Sequence, residues 1–198
     1  MRKILVLFAH PRFEHSVVNN AMVVMEKQLS FITFQDLYES YPDFNIDVKR
    51  EQELLLAHDV IIWQHPFYWY SCPPLLKQWI DLVLEFNWAY GPNGDALKEK
   101  YILNVVTTGG AREAYQTDGR NRFTINQMLA PFDQTATLCK MVYLPPFAVQ
   151  GTHRLQPNEL AIKVEEYKAL LNFLSIETSP LKTLLHLEII NDHFIQPK

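Results

Sequence analysis

Two short runs, Ile4-Leu5-Val6-Leu7-Phe8 and Val60-Ile61-Ile62-Trp63, are apolar without a break. A strand with one wet face alternates polar and apolar residues, so an unbroken run of strand length predicts a strand covered on both faces, and sheets covered that way are mostly parallel. Phe31 to Leu37, Tyr101 to Thr107 and Met141 to Val149 add three more runs, each set off from the others by longer segments. That alternation predicts an α/β fold in which a five-stranded parallel sheet lies between two helical layers. The mixed run Phe31-Ile32-Thr33-Phe34-Gln35 suits a strand near an edge. Pro145-Pro146 cannot donate to a ladder, which assigns the last run to the opposite edge.

Three helices are well marked. Leu75, Leu76, Trp79, Ile80, Val83 and Leu84 form one stripe in Cys72 to Glu85, with Pro73 and Pro74 suited to the first turn. Leu160, Val164, Tyr167, Leu171 and Leu174 repeat that spacing behind Pro157, and Ser16 can cap a helix running through Met22 and Met25. Glu51, Glu53 and Asp59 read as the exposed face of a short helix. Tyr38 to Asp47 and Phe86 to Lys100 resist assignment, long connections of the kind that are functional or disordered. The division expected is one domain over 1–174 and a tail over 175–198 with no clear period.

Composition removes several functions. With 48% hydrophobic residues in 198, there is material for one packed domain, and a net charge of -4 gives no basic excess for nucleic acid. No segment approaches the roughly 18 apolar residues of a membrane span, which predicts a cytoplasmic protein, peripheral if it meets a membrane. Cys72 and Cys139 have no CxxC spacing, and no HExxH or GxSxG motif occurs. His58, His65, His153, His186 and His193 lack a matching carboxylate or cysteine cluster, so no metal site is expected.

In an open parallel sheet, ligands bind beyond the carboxyl ends of the strands. The first such loop, Ala9-His10-Pro11-Arg12-Phe13-Glu14-His15-Ser16, contains no glycine, and so neither a P-loop nor a dinucleotide turn. Ser16 at a helix cap, with the N–H groups of Val17, Val18 and Asn19 and His10 as a charged donor, offers an anion site instead; a plain cap and a surface turn are the alternative. The third strand leads into Pro66-Phe67-Tyr68-Trp69-Tyr70 before Pro73. Four aromatics in a loop call for a flat partner, whose polar edge the Phe67 to Tyr70 N–H groups can meet, or for a small secondary core or an oligomer interface. The fourth strand ends in Thr107-Thr108-Gly109-Gly110-Ala111, either a tight turn or a place where backbone closely approaches a ligand. Beyond it, the Tyr115 phenol can donate to developing negative charge.

Together these residues resemble the flavin-contacting loops of the flavodoxin-like NAD(P)H quinone oxidoreductases. Tyr41-Pro42-Asp43-Phe44-Asn45-Ile46-Asp47, Gln64-His65-Pro66, Tyr70-Ser71-Cys72-Pro73-Pro74-Leu75-Leu76-Lys77 and Trp88-Ala89-Tyr90-Gly91 resemble, within that family, the ancillary subunits of bacterial glutathione-gated potassium efflux systems. The likeness runs in order over most of residues 3 to 174. It implies a flavodoxin-like strand order of 2-1-3-4-5. It also implies bound FMN rather than FAD, with the phosphate at His10 and Ser16 to Asn19 and the ring against Phe67 to Tyr70 and Thr108 to Ala111. Further implications are NAD(P)H and a quinone as substrates in a ping-pong hydride transfer, a homodimer in which Trp88 and Tyr90 reach toward the substrate, and docking on a membrane potassium-efflux transporter. The larger quinone reductases have a histidine after the tyrosine that helps take up charge; the comparable position here falls near Asn121, so that either Arg120 or Arg122 substitutes or turnover is modest. The alternative is a regulatory flavin-binding subunit with vestigial catalysis.

Overall fold

The computed structural model describes residues 1–194. Strands β1 (Ile4–Phe8), β2 (Ile32–Asp36), β3 (Val60–Pro66) and β4 (Tyr101–Thr108) follow four of the apolar runs, and the fifth run forms two strands, β5 (Val142–Tyr143) and β6 (Phe147–Gln150). The order is β2-β1-β3-β4-β5, with β6 also on β4, and every pairing is parallel. The expected fifth strand is thus two strands, and the sheet has six. Pro145 and Pro146 bring no N–H to a ladder, so pairing stops at Tyr143 and resumes at Phe147.

Helices α1 (Val17–Glu26), α2 (Leu37–Ser40), α3 (Val48–Ala57), α4 (Pro74–Val83), α5 (Ile125–Met128), α6 (Ala130–Leu138), α7 (Pro157–Ser175) and α8 (Asn191–Phe194) complete the fold. Successive residues of a strand point to opposite faces. Leu5 and Leu7 of β1 join Ile61 and Trp63 of β3 under α3, α4 and α6, while Ile4, Val6 and Phe8 join Ile62 under α1 and α7. A two-sided strand therefore needs the continuous apolar run seen in the sequence. Ser16 caps α1 as expected, its Oγ accepting from Asn19 N–H at 3.3 Å.

Glu51 departs from expectation. Glu53 and Asp59 are exposed, whereas Glu51 is fully buried in α3 and its carboxylate accepts from Gln35 Nε2 at 2.9 Å, Tyr41 O–H at 2.6 Å and Trp79 Nε1 at 2.8 Å. Three neutral donors from three other segments satisfy a charge that would otherwise be costly to bury. They also pin the Tyr41 to Asp47 connection, whose Asp47 caps α3.

After α7 the chain packs back on the core it has already covered. Leu181, Leu184 and Ile190 are buried in the cluster beneath α1 and α7. Asn191 then takes both backbone groups of Ala148 in β6: its Oδ1 accepts from the N–H at 2.8 Å and its Nδ2 donates to the carbonyl at 3.2 Å. Residues 195–198 of the tail lie outside the described residues.

Candidate cofactor site

A cleft of about 620 Å³ opens at the carboxyl ends of β1, β3 and β4, within the usual range for a small-molecule site. Three of the loops singled out in the sequence line it together: His10, Ser16, Val17 and Val18 from the first, Pro66, Phe67 and Tyr68 from the second, and Thr107 and Gly109 from the third.

The first loop is built to receive an anion. Among the described residues the N–H groups of Val17 and Val18 meet no acceptor, whereas that of Asn19 is taken by Ser16 Oγ. These unpaired donors lie at the positive end of a helix of 10 residues. Arg12 N–H donates to His10 Nδ1 at 3.2 Å, which leaves Nε2 as the nitrogen that carries hydrogen. Burial lowers the pKa of His10 against an opposing pull from Glu14. Asn19 itself stands behind the wall: its amide donates to Ser16 Oγ at 3.0 Å and to Thr107 Oγ1 at 3.1 Å, tying the first loop to the third. Its Oδ1 is buried and has no partner among the described residues.

The aromatic loop turns sharply. Phe67 N–H donates to Thr107 O at 2.9 Å and Tyr68 N–H to Pro66 O at 3.0 Å, so two of the four amides expected to face a ligand are already used. Trp69 and Tyr70 have φ of 49° and 64°, a left-handed pair of bulky residues, and among the described residues their N–H groups meet no acceptor. Such strain persists where the surroundings over-determine it. Phe67 is buried, but Trp69 is 93% exposed. Tyr68 and Tyr70 are exposed as well, so the turn presents three aromatic side chains to solvent.

The third loop supplies closeness. Thr108 turns inward, its hydroxyl donating to Gly110 O at 2.7 Å. A Cβ on Gly109 would lie 2.7 Å from His153 Nε2, and one on Gly110 would lie 3.0 Å from Tyr115 Cε2. Tyr115 closes a short helical turn over Arg112–Tyr115, nearly buried, its ring edge-on to Phe67 at 6.1 Å. Arg112 anchors that turn to α8 by a two-pronged pair with Asp192, at 2.8 and 2.9 Å.

A second cavity of about 680 Å³ shares Gly109 and His153 with the first, and adds Gly110, Ala111, Arg120 and Arg154. His153 and Arg154 were not among the residues expected. They come after β6, and reading the end of the last strand as closely as the ends of the others would have found them. Trp88 and Tyr90 line neither cavity; they pack on the core under α4, where Phe86 meets Tyr90 edge-on.

Comparison with known proteins agrees with this architecture. Residues 2–171 match the model of a family described as having a flavodoxin-like fold. The glutathione-regulated potassium-efflux system ancillary protein KefG of Enterobacter sp. (strain 638) is 47% identical over 165 residues, spanning 83% of this chain and 90% of that protein. The structure of general stress protein 14 from Treponema denticola, in complex with FMN, superposes with a TM-score of 0.83 at 39% identity, covering 87% of this chain and 99% of that one. An NADPH-quinone reductase from P. pentosaceus superposes with a TM-score of 0.78 at 32% identity, covering 90% and 99%.

Proposed function

The chain belongs to the flavodoxin-like fold family, and from that premise we propose that it is an FMN-dependent NAD(P)H:quinone oxidoreductase that also serves as an ancillary subunit of a glutathione-gated potassium-efflux transporter. The observation that carries the reading is the convergence, in one cleft, of unpaired N–H groups at a helix start, an aromatic loop and a glycine turn. Those parts fit a phosphate joined to a flat heterocycle.

In this reading Val17 N–H, Val18 N–H and His10 Nε2 hold the phosphate. Phe67 and Tyr68 flank the ring, and Gly109 lets the backbone approach it without a Cβ. Bound there, the flavin supplies the capacity to accept a hydride and to give it up. The protein's part is to orient, to exclude water and to balance charge. Within this proposal the Tyr115 hydroxyl donates to negative charge on the ring, and the second cavity, which shares Gly109 and His153 with the first, would take nicotinamide and then quinone. Arg120 and Arg154 line that cavity, and their guanidinium groups suit the phosphates of the dinucleotide.

FMN rather than FAD is favoured by the relative solved with FMN, and the transporter role by the KefG relatives. No helix among the described residues is long and apolar enough to cross a membrane, and the reading is of a cytoplasmic protein that docks peripherally. It includes a homodimer, in which Trp88 and Tyr90, remote from their own cleft, would reach the substrate of the partner.

The test is an anaerobic titration of FMN-reconstituted protein with NADPH, then with a soluble quinone, read by visible absorption. Bleaching and then recovery are expected. Binding without bleaching by NADPH or NADH would replace catalysis with the regulatory-subunit reading, and failure to bind FMN would overturn the site.

A further inference from the structure

His65 lies outside the proposed cofactor contacts, yet it is a fully buried imidazole at the end of β3, one residue before the aromatic loop. Its ring lies on Phe132 of α6, with centroids 5.7 Å apart and planes 26° from parallel. Nδ1 is 3.0 Å from the carbonyl oxygen of Pro66, and Nε2 is 3.0 Å from Asn104 Nδ2. Asn104 Oδ1 in turn accepts from Tyr143 O–H at 2.7 Å.

The direction of this chain is set at one end. A carbonyl can only accept, so Nδ1 carries the hydrogen; a neutral imidazole then has a lone pair at Nε2, so Asn104 turns its NH2 toward the ring and its oxygen toward Tyr143. Every link has its donor facing an acceptor, and β3, β4 and β5 are joined on one face of the sheet. Burial keeps the imidazole neutral, its pKa lowered to about 4, and keeps the Tyr143 hydroxyl protonated, its pKa raised.

A phenylalanine would fill the same space on Phe132 without two buried nitrogens to satisfy. What the imidazole adds is a grip on one peptide group. Pro66 O accepts from His65 Nδ1–H and Tyr68 N–H, while Phe67 N–H donates to Thr107 O. The peptide between Pro66 and Phe67 is therefore held at both ends, immediately before the left-handed pair Trp69 and Tyr70.

We propose that His65 is a positioning residue for the aromatic loop, acting through the Pro66 carbonyl as the terminal donor of the Tyr143–Asn104–His65 relay. The assignment of the loop to flavin rests on the function proposed above; the relay itself does not.

Three variants separate the relay from simple packing. His65→Phe keeps the ring and loses the donor. His65→Asn places an amide nitrogen near the position of Nδ1 and keeps the donor to Pro66. His65→Gln places its nitrogen near Nε2, away from Pro66. Amide hydrogen exchange at Tyr68, measured in flavin-free protein relative to Leu5 and Val6 of β1, reads the loop directly. His65→Phe and His65→Gln are expected to speed Tyr68 exchange at least tenfold, and His65→Asn to stay within threefold of the parent. FMN dissociation constants are expected to rise in His65→Phe and His65→Gln and to stay near the parent value in His65→Asn.

Unchanged exchange in His65→Phe, or equal effects of Asn and Gln, would overturn the relay. Should His65→Phe fail to fold, Asn104→Leu removes the donor to Nε2 that orients the ring toward Pro66 and is expected to give the same exchange signature; parental exchange there would also refute it. Failure of the parent protein to bind FMN would count against the proposed function alone, since the exchange experiment needs no flavin.

Discussion

Glu26 ends α1 fully buried, and neither carboxylate oxygen has a hydrogen-bond partner among the described residues. Desolvation raises its pKa from the ordinary 4.5 to about 7. Tyr167 and Gln64 are close enough to oppose that rise, but the Tyr167 hydroxyl is directed at Gln64 Oε1, 3.0 Å away. A carboxyl whose pKa is higher folded than unfolded contributes stability that is present below its unfolded value and lost as pH rises through its folded one. The protein should therefore weaken from about pH 4.5 to somewhat above pH 7. At about 1.4 kcal/mol for each pH unit between the two values, the loss is on the order of 3 kcal/mol, against a total of roughly 5 to 15 kcal/mol for a domain. Glu26→Gln holds the site neutral at every pH. Urea denaturation of parent and variant from pH 5 to pH 8 isolates this group, because titrations elsewhere cancel in the difference. The parent is expected to lose about 2 to 3 kcal/mol relative to the variant across that range. Parallel profiles would refute the reasoning, since they would mean that Glu26 is ionised in the folded state at no cost.

Four further outcomes are expected. Trp69→Ala, at a 93% exposed position, should leave the thermal midpoint within a degree or two while weakening FMN by about 1 to 2 kcal/mol, measured by fluorescence titration. Tyr115→Phe should retain flavin and slow quinone reduction in stopped flow; an unaltered rate would remove the hydroxyl from the chemistry. Glu51→Ala strands three buried donors and should cost about 3 kcal/mol or more in chemical denaturation. Asn191→Ala frees both groups of Ala148 and should cost about 2 kcal/mol by the same assay.

The strands and the loops at their carboxyl ends were legible because local chemistry decides them. An unbroken apolar run identifies a two-sided strand, Ser16 can cap the helix that begins at Val17, and two prolines interrupt a ladder wherever they fall. Glu51 was not legible, since within α3 it looks like any exposed glutamate, and only Gln35, Tyr41 and Trp79, brought in by the fold, make it a buried acceptor. The same holds for His65. Its partner Asn104 lies 39 residues away, and nothing between them in the chain announces the pair. Trp69 shows the opposite limit: the sequence identifies an aromatic loop, but which of its rings is sheltered depends on backbone angles that only the folded turn sets.

The Asn191 amide gives β6 the one donor and one acceptor that a neighbouring strand would have offered at Ala148, and Ile190 N–H is bonded to Pro146 O at 2.9 Å. The tail thus stands in for a further strand along the β6 portion of the outer border. A sheet border left bare is a template for another molecule's backbone; here that template is interrupted by prolines and then occupied by the molecule's own chain. Self-association by lengthening the sheet at β6 is closed off. Shortening the chain before Ile190 would remove that plug and open the β6 border to another molecule's backbone.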